Sequence, residues 1–121
     1  MATVLIIEDE TPILVLADSV LESAGYRTIT AATLAEAEAL ISSDTQFDIV
    51  FTDVHLGEHH EGGVRVGRLV QQLRPGIPVL YTSGRNLTDG LKELLVEPGA
   101  FLSKPYTDKD LLEAIAQLLR R

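Results

Sequence analysis

Short apolar runs alternate with longer segments of helical periodicity along the whole chain. Five of these runs are predicted to be strands, at residues 3–7, 27–30, 49–52, 78–82 and 100–102. Most of them are continuously apolar instead of alternating with polar residues, which is typical of parallel strands that are covered on both faces. The pattern therefore predicts a parallel sheet buried between two layers of helices.

The first two helices have clear start and stop signals. Thr11 is the predicted N-cap of the first helix, Pro12 suits its first position, and Gly25 suits its end. Thr33 and Glu36 have the spacing of a capping box, so they are predicted to begin the second helix. Apolar residues at helical spacing follow both starts.

The remaining three helices differ in the strength of their signals. An apolar stripe over residues 66–73 predicts the third helix, which should end before Pro75. The fourth helix, over residues 87–96, is weaker because Gly90 lies inside it. The fifth begins after Thr107 and carries a strong apolar stripe.

Strands that alternate with helices predict one α/β domain over residues 1–121, with a flavodoxin-like, doubly wound parallel sheet of strand order 2-1-3-4-5. In that order the first and third strands flank the topological switch point, and ligands bind beyond their carboxyl ends. Glu8 and Asp9 follow the first strand, and Asp53 follows the third. The fold itself is therefore expected to bring three carboxylates into one crevice.

Three carboxylates in one crevice repel each other strongly. At an effective dielectric constant near 20, two unit charges ~4 Å apart repel with about 4 kcal/mol. Either some of the acids stay protonated or a cation lies among them. An open crevice with oxygen ligands suits Mg²⁺, which keeps several waters of its own. The alternative, that each acid simply ends its strand and stays solvated, fits a single acid better than all three.

Two further polar residues are expected at the same edge of the sheet. Ser83 follows the fourth strand and Lys104 follows the fifth. Taken singly, the first would be a turn residue and the second a surface charge. Together with a carboxylate and a divalent ion, however, a hydroxyl and an ammonium could hold the oxygens of a phosphoryl group, and phosphoryl transfer depends mainly on such positioning and charge neutralisation.

With these residues in this order, the sequence resembles the receiver domains of bacterial two-component response regulators along nearly its whole length. The matching stretches are VLIIEDE with its acidic pair, DIVFTDVHL with Asp53, PVLYTSG with Ser83, and AFLSKPY with Lys104. The resemblance implies that Asp53 accepts a phosphoryl group from a histidine of a partner histidine kinase or histidine phosphotransfer protein. It also implies self-phosphorylation and slow self-dephosphorylation, without turnover of a separate substrate.

The resemblance further implies a Mg²⁺ site and a conformational switch. The ligands would be Asp9, Asp53 and the backbone carbonyl of His55, with Glu8 acting through water. By the same resemblance, Ser83 and Lys104 would contact the phosphoryl oxygens, and Phe101 stands at the position of the aromatic switch residue.

The chain departs from the family pattern at three places. Glu8 stands where many members have Asp, Gly57 stands where proline is common, and Phe101 lacks a hydroxyl group. These differences bear on the geometry of the loop after Asp53, on the rate of dephosphorylation and on the strength of the switch.

Composition limits the partners and the location. Eighteen acidic residues against ten basic ones give a formal charge of −8, which argues against sequence-independent binding to nucleic acid or an anionic membrane. The chain contains no cysteine, no signal segment at its start and no apolar run of membrane-spanning length, so a cytoplasmic location is expected. Output is expected through a downstream protein or through a homodimer.

Two other functions compete with phosphoryl acceptance. A degenerate receiver could act as a binding module that does not depend on phosphorylation. A hydrolase related to haloacid dehalogenase-like phosphatases would need a second acid two residues after Asp53, where this chain has His55. Finally, His59 and His60 with their acidic neighbours have no spacing typical of a zinc site.

Overall fold

The structure, a computed structural model, describes residues 1–84 and 88–120. The strands are β1 (Thr3–Ile7), β2 (Arg27–Ala31), β3 (Ile49–Asp53), β4 (Val79–Ser83) and β5 (Gly99–Ser103). The helices are α1 (Thr11–Ser23), α2 (Leu34–Ser42), α3 (Gly62–Leu73), α4 (Asp89–Lys92) and α5 (Asp108–Leu119). Strands and helices alternate as the apolar pattern predicts.

All five strands form one parallel sheet in the order β2-β1-β3-β4-β5, which confirms the predicted topology. The register pairs Ile7 with Thr52 and Asp53 with Thr82. The carboxyl ends of β1, β3 and β4 therefore lie side by side at one edge of the sheet. The residues that follow these strands are close together for that reason.

The sheet separates two apolar cores. Leu5 and Tyr81 belong to the core between the sheet and helices α2 and α3. Val4 and Leu80 belong to the core between the sheet and helices α1 and α5. Because neighbouring residues of a strand point to opposite faces, a strand buried on both faces must be apolar at every position. This explains the continuous apolar runs of β1, β3 and β4.

The predicted cap of α1 is wrong by one residue. The helix begins at Thr11 itself, and its N-cap is Glu10, whose side chain makes no capping hydrogen bond. The backbone N–H of Glu10 donates to Oε2 of Glu8 at 3.2 Å, so the turn after β1 is held by the acidic residue instead of by threonine. Gly25 has a φ of 97° just after the helix, a conformation that suits glycine at a helix end.

The predicted threonine caps of α2 and α5 are present, although the first of them differs from the prediction. The hydroxyl oxygen of Thr33 accepts from the backbone N–H of Glu36 at 3.1 Å, but the Glu36 carboxylate accepts from the threonine hydroxyl, at 3.3 Å, instead of from the threonine backbone N–H. Thr107 and Asp110 form a complete capping box at the start of α5.

The region around α4 and β5 is less buried than the pattern predicts. Helix α4 has only four residues and begins after Thr88, whereas residues 87–96 were the predicted span, and Leu87 lies outside the described residues. Such a short helix covers little of β5, so Phe101 is 37% exposed. The prediction that the strands are covered on both faces is therefore wrong for β5. Among the described residues, none of the helices is long and apolar enough to cross a membrane.

Candidate functional site

The structure places the predicted acidic residues in one group at the carboxyl edge of the sheet. Glu8 and Asp9 come directly after β1, and Asp53 is the last residue of β3. One carboxylate oxygen from each of these three side chains lies within 4.8 Å of the others. Glu8 and Asp53 are buried, whereas Asp9 is more exposed to solvent. The crevice thus has a closed inner part and an open outer part.

Lys104 connects the two buried carboxylates. Its ammonium donates to Oε1 of Glu8 at 2.7 Å and to Oδ2 of Asp53 at 2.8 Å. All three side chains are largely shielded from water: the exposed fraction is 15% for Lys104, 5% for Glu8 and 7% for Asp53. Charge-assisted hydrogen bonds of this length are stronger than neutral ones, and buried charges require such partners. Lys104 therefore offsets much of the repulsion within the acidic group.

The environment shifts the protonation of these residues. Burial raises the pKa of Glu8 from 4.5 to about 7, although the hydrogen bond from Lys104 acts in the opposite direction. Burial alone would lower the pKa of Lys104, but the hydrogen bonds to Asp53 and Glu8 outweigh it and raise that pKa above its usual range. Lys104 is therefore a permanent positive charge at neutral pH, whereas Glu8 can exchange a proton there.

The loop after β3 closes around the acidic group through its backbone. The N–H of His55 donates to Oδ1 of Asp53 at 3.0 Å, and the N–H of Gly57 donates to Oδ2 of Asp9 at 2.9 Å. Gly57 has a φ of 57°, which is left-handed, so glycine suits this turn. At Gly63 a Cβ atom would lie 2.3 Å from the carbonyl oxygen of Asp53. Helix α3 therefore approaches β3 more closely than a residue with a side chain would allow.

The other predicted site residues lie at different distances from the acidic group. Ser83 is the last residue of β4 and is 2% exposed. Its carbonyl oxygen accepts from the N–H of Lys104 at 3.0 Å, so both residues occupy the same edge. Phe101 lies two positions before the end of β5 and pairs with Tyr81 of β4, so it belongs to the sheet and not to the crevice. The ring nitrogens of His55 are buried and have no hydrogen-bond partner among the described residues.

The residues present fit a hard divalent cation. All three acidic side chains offer oxygen, and one of them faces the open side of the crevice. Mg²⁺ prefers oxygen ligands and retains several waters, so it needs only a few protein ligands and access to solvent. Within residues 1–84 and 88–120, these three side chains are the ones grouped closely enough to hold an ion. The histidines of the loop after β3 join no such group there.

Sequence reasoning missed an apolar cavity beside the acidic group. The cavity has a volume of about 370 Å³, and its lining is formed by Ile13, Leu16, Gly84, Lys104, Pro105 and Tyr106. Leu16 of α1 is 61% exposed and its neighbour Val15 is 60% exposed, so α1 presents adjacent apolar side chains to solvent here. The signal was present in the sequence, because Val15 and Leu16 fall outside the helically spaced apolar stripe of α1, which is formed by Ile13, Leu14, Ala17, Val20, Leu21 and Ala24. Only the fold places Leu16 beside Lys104.

Glu8 should make the stability of the metal-free protein depend on pH. Its pKa is raised from 4.5 to about 7 on folding, so the folded protein holds this proton more tightly than the unfolded chain. The contribution is fully present below pH 4.5 and is lost as the pH rises through about 7. Denaturant unfolding between about pH 5 and about pH 8 should show a decline on the order of 2 kcal/mol from this group.

Glu8→Gln is the matched control for this titration, because glutamine has the same shape and no titrating proton. The free energy of unfolding of the variant should decline less over the same pH range. Parallel pH profiles for the two proteins would show that Glu8 is not the titrating group.

A sequence model described as "Response regulator receiver domain" matches residues 4–116. Among curated proteins, the uncharacterized transcriptional regulatory protein YbdJ of Bacillus subtilis is 30% identical, over 96% of this chain and 50% of that protein. The phosphate regulon transcriptional regulatory protein PhoB of Pseudomonas aeruginosa is 28% identical, over 98% of this chain and 52% of that protein. The chain spans about half the length of these two relatives.

Solved structures agree with these matches. A response regulator receiver protein from Sinorhizobium medicae superposes with a TM-score of 0.90 at 28% identity, covering 98% of this chain and 94% of that one. A CheY-like response regulator receiver domain protein from Methanospirillum hungatei has a TM-score of 0.88 at 28% identity, with 99% and 94% coverage. The structural similarity therefore extends over nearly the whole chain.

Proposed function

This chain belongs to the receiver domain family of response regulators, and we propose that it accepts a phosphoryl group on Asp53 from a phosphorylated histidine of a partner kinase or phosphotransfer protein. The observation that carries the proposal is the placement of Asp53. Its carboxylate ends a buried strand, contacts Lys104 at 2.8 Å and lies beside Glu8 and Asp9. A nucleophilic carboxylate next to a fixed ammonium suits phosphoryl transfer, which requires positioning and charge neutralisation.

In the proposed reaction, an oxygen of Asp53 attacks phosphorus in line with the bond to the histidine nitrogen. The oxygen–phosphorus bond forms as the nitrogen–phosphorus bond breaks, and the electron pair of the broken bond stays on the imidazole. Lys104 already donates to Oδ2 of Asp53, so its ammonium lies within reach of the transferred oxygens and offsets their charge. Ser83 ends the neighbouring strand and would donate its hydroxyl to another of these oxygens.

The Mg²⁺ ion, if bound, would supply further neutralisation of the phosphoryl charge. Asp9, Asp53 and the backbone carbonyl of His55 would hold it directly, and Glu8 would act through a water molecule. The oxygen-only donor set and the open side at Asp9 support this assignment.

The direct test is incubation with acetyl phosphate and Mg²⁺, followed by measurement of the intact mass. One phosphoryl group that is stable in acid and labile in base is expected. If neither acetyl phosphate nor any histidine kinase modifies the protein, the chain is better described as a binding module that works without phosphorylation.

The partner that receives the signal is proposed to be a protein or a second copy of this chain. Leu94 is 38% exposed and Phe101 is 37% exposed, so the surface around α4 and β5 offers apolar contacts. Ser83 precedes this region in the chain and Lys104 follows β5, so both proposed phosphoryl contacts border it. The sequence-based expectation of a cytoplasmic location stays a prediction.

The apolar cavity beside Lys104 is the proposed contact for the phosphoryl donor. A donor histidine must come within bonding distance of Asp53, and the donor's neighbouring side chains must then contact the surface around Lys104. Leu16→Asp should therefore lower the rate of transfer from a histidine kinase about tenfold or more, because the charge disrupts an apolar contact. The same variant should react normally with acetyl phosphate, which needs no docking surface.

Leu73→Asp is the matched control for this experiment. Leu73 is also an exposed leucine on a helix, at 48% exposure, but it ends α3 on the opposite face of the sheet. Equal losses in the two variants, or equal losses with both phosphoryl donors, would show that the cavity is not the docking site.

A further inference from the structure

Tyr81 is the largest of the fully buried side chains in the core, and its hydroxyl makes a contact outside the sheet. The residue lies in the middle of β4 and is 0% exposed. Its hydroxyl oxygen accepts a hydrogen bond at 3.1 Å from the backbone N–H of Val96, between α4 and β5. Burial raises the pKa of Tyr81, so the phenol stays protonated at neutral pH. A side chain of the sheet therefore holds the backbone of a surface segment.

Helix α3 has a glycine at the point where this hydroxyl passes it. A Cβ atom at Gly67 would lie 1.9 Å from the hydroxyl oxygen of Tyr81 and 3.3 Å from the side chain of Val96. Any side chain at this position would compete for the space that the hydroxyl fills. Glycine in a helix interior costs roughly 1 kcal/mol relative to alanine, so its presence here needs a packing reason. Gly67 provides the room in which Tyr81 reaches Val96.

The segment held by Tyr81 has few other attachments to the core. Within residues 88–110, every side chain is at least partly exposed to solvent, and α4 itself has four residues. Leu91, Leu95 and Val96 pack against the core only partly. Segments with few buried contacts open at low free-energy cost. Among the described residues, two hydrogen bonds to β4 hold this one: Val96 donates to the hydroxyl of Tyr81, and the carbonyl of Pro98, at the far end of the segment, accepts from the N–H of Val79 at 3.1 Å.

We propose that the hydroxyl of Tyr81 fixes the backbone of residues 93–98 to β4, so that this segment follows movements of the strand that ends at Ser83. Tyr81 acts here as a positioning residue and does not touch the phosphoryl group. Ser83 lies two residues further along the same strand and points to the same face. The link to Ser83 rests on the proposed function, whereas the attachment of the segment to Tyr81 does not.

Tyr81→Phe removes the oxygen and leaves the ring in place, so it tests the attachment directly. Amide hydrogen exchange of Val96 should become roughly five- to tenfold faster, as expected for loss of one hydrogen bond. Amides of Leu5 and Val50 at the centre of the sheet should change much less. If the exchange of Val96 rises no more than that of Leu5 and Val50, the hydroxyl does not hold the segment and the proposal is wrong.

Two further variants check the specificity of this result. Gly67→Ala should also accelerate the exchange of Val96, because the added Cβ displaces the hydroxyl without removing it. Tyr106→Phe removes a phenolic oxygen from the other face of the sheet, where the ring packs edge-on against Phe51 at 5.8 Å between centroids. If Tyr106→Phe accelerates the amide exchange of Val96 as much as Tyr81→Phe does, the proposal is wrong.

Beryllofluoride, which mimics the phosphoryl group, tests separately whether Tyr81 holds the segment of residues 93–98 and whether that segment follows movements of β4. In the wild type the amide resonances of His55 and Val96 should both shift when it binds, and in Tyr81→Phe only the shift of His55 should persist in full. A full shift of the Val96 resonance in Tyr81→Phe would show that the segment does not follow β4 through the hydroxyl of Tyr81. If His55 does not respond even in the wild type, the proposed function fails, and the exchange of Val96 without beryllofluoride still decides whether Tyr81 holds the segment.

Discussion

Asp53→Asn should abolish phosphoryl acceptance while leaving the protein folded. The amide is not the nucleophile that attack on phosphorus requires, so no phosphoryl group should appear with acetyl phosphate or with a histidine kinase. The fold should persist because the asparagine oxygen can still accept from the N–H of His55 or from Lys104, which also keeps its bond to Glu8. Intact-mass measurement and circular dichroism together check both parts of this expectation.

A matched control is available on the same strand. Asp48 lies just before β3, at the end opposite to Asp53, and its carboxylate accepts from the N–H of Thr3 at 2.7 Å. Asp48→Asn removes one negative charge without touching the crevice, so phosphoryl acceptance should remain complete. Modification that survives in Asp53→Asn would move the acceptor to another residue, and loss in both variants would point to a general effect of charge.

Mg²⁺ should stabilise the folded protein through the acidic group. The repulsion among Glu8, Asp9 and Asp53 is only partly offset by Lys104, and the unfolded chain does not hold these side chains together. A ligand that binds only the folded state adds about 2.7 kcal/mol at a hundredfold excess over its dissociation constant. Thermal unfolding of the wild type should therefore move to higher temperature as Mg²⁺ is added.

Asp9→Ala should respond hardly at all to Mg²⁺, because Asp9 faces the open side of the crevice where the ion enters. Asp44→Ala, an exposed acid in the loop before β3, is the control that loses the same charge elsewhere. If Asp9→Ala and the wild type gain equal stability from Mg²⁺, the crevice is not the metal site.

The sequence by itself determined the order of the elements and the membership of the crevice. Continuous apolar runs and helical stripes are local patterns, and all five strands lie within one residue of their predicted bounds. Once the strand order is known, the residues that follow β1, β3, β4 and β5 must meet at one edge. The grouping of Glu8, Asp9 and Asp53 therefore needed no knowledge of packing.

Contacts between distant residues were decided by the tertiary structure alone. Lys104 bridges Glu8 and Asp53, which are 96 and 51 positions away in the chain, and the bond from Gly57 to Asp9 spans 48 positions. No local pattern specifies such distances, because they depend on how loops from different strands pack. The raised pKa of Glu8 depends on the same packing, since burial is its largest cause.

Burial at the edge of the domain was also decided by the tertiary structure. The apolar character of β5 predicts a strand that is covered on both faces. Whether Phe101 is covered depends on how long α4 is, and Gly90 inside α4 disfavours a longer helix. In the same way, Gly67 and Tyr81 carry no joint signal in the sequence, and they form one packing unit only because α3 crosses β4 there. A sequence encodes which residues prefer the interior, whereas neighbouring elements decide which of them reach it.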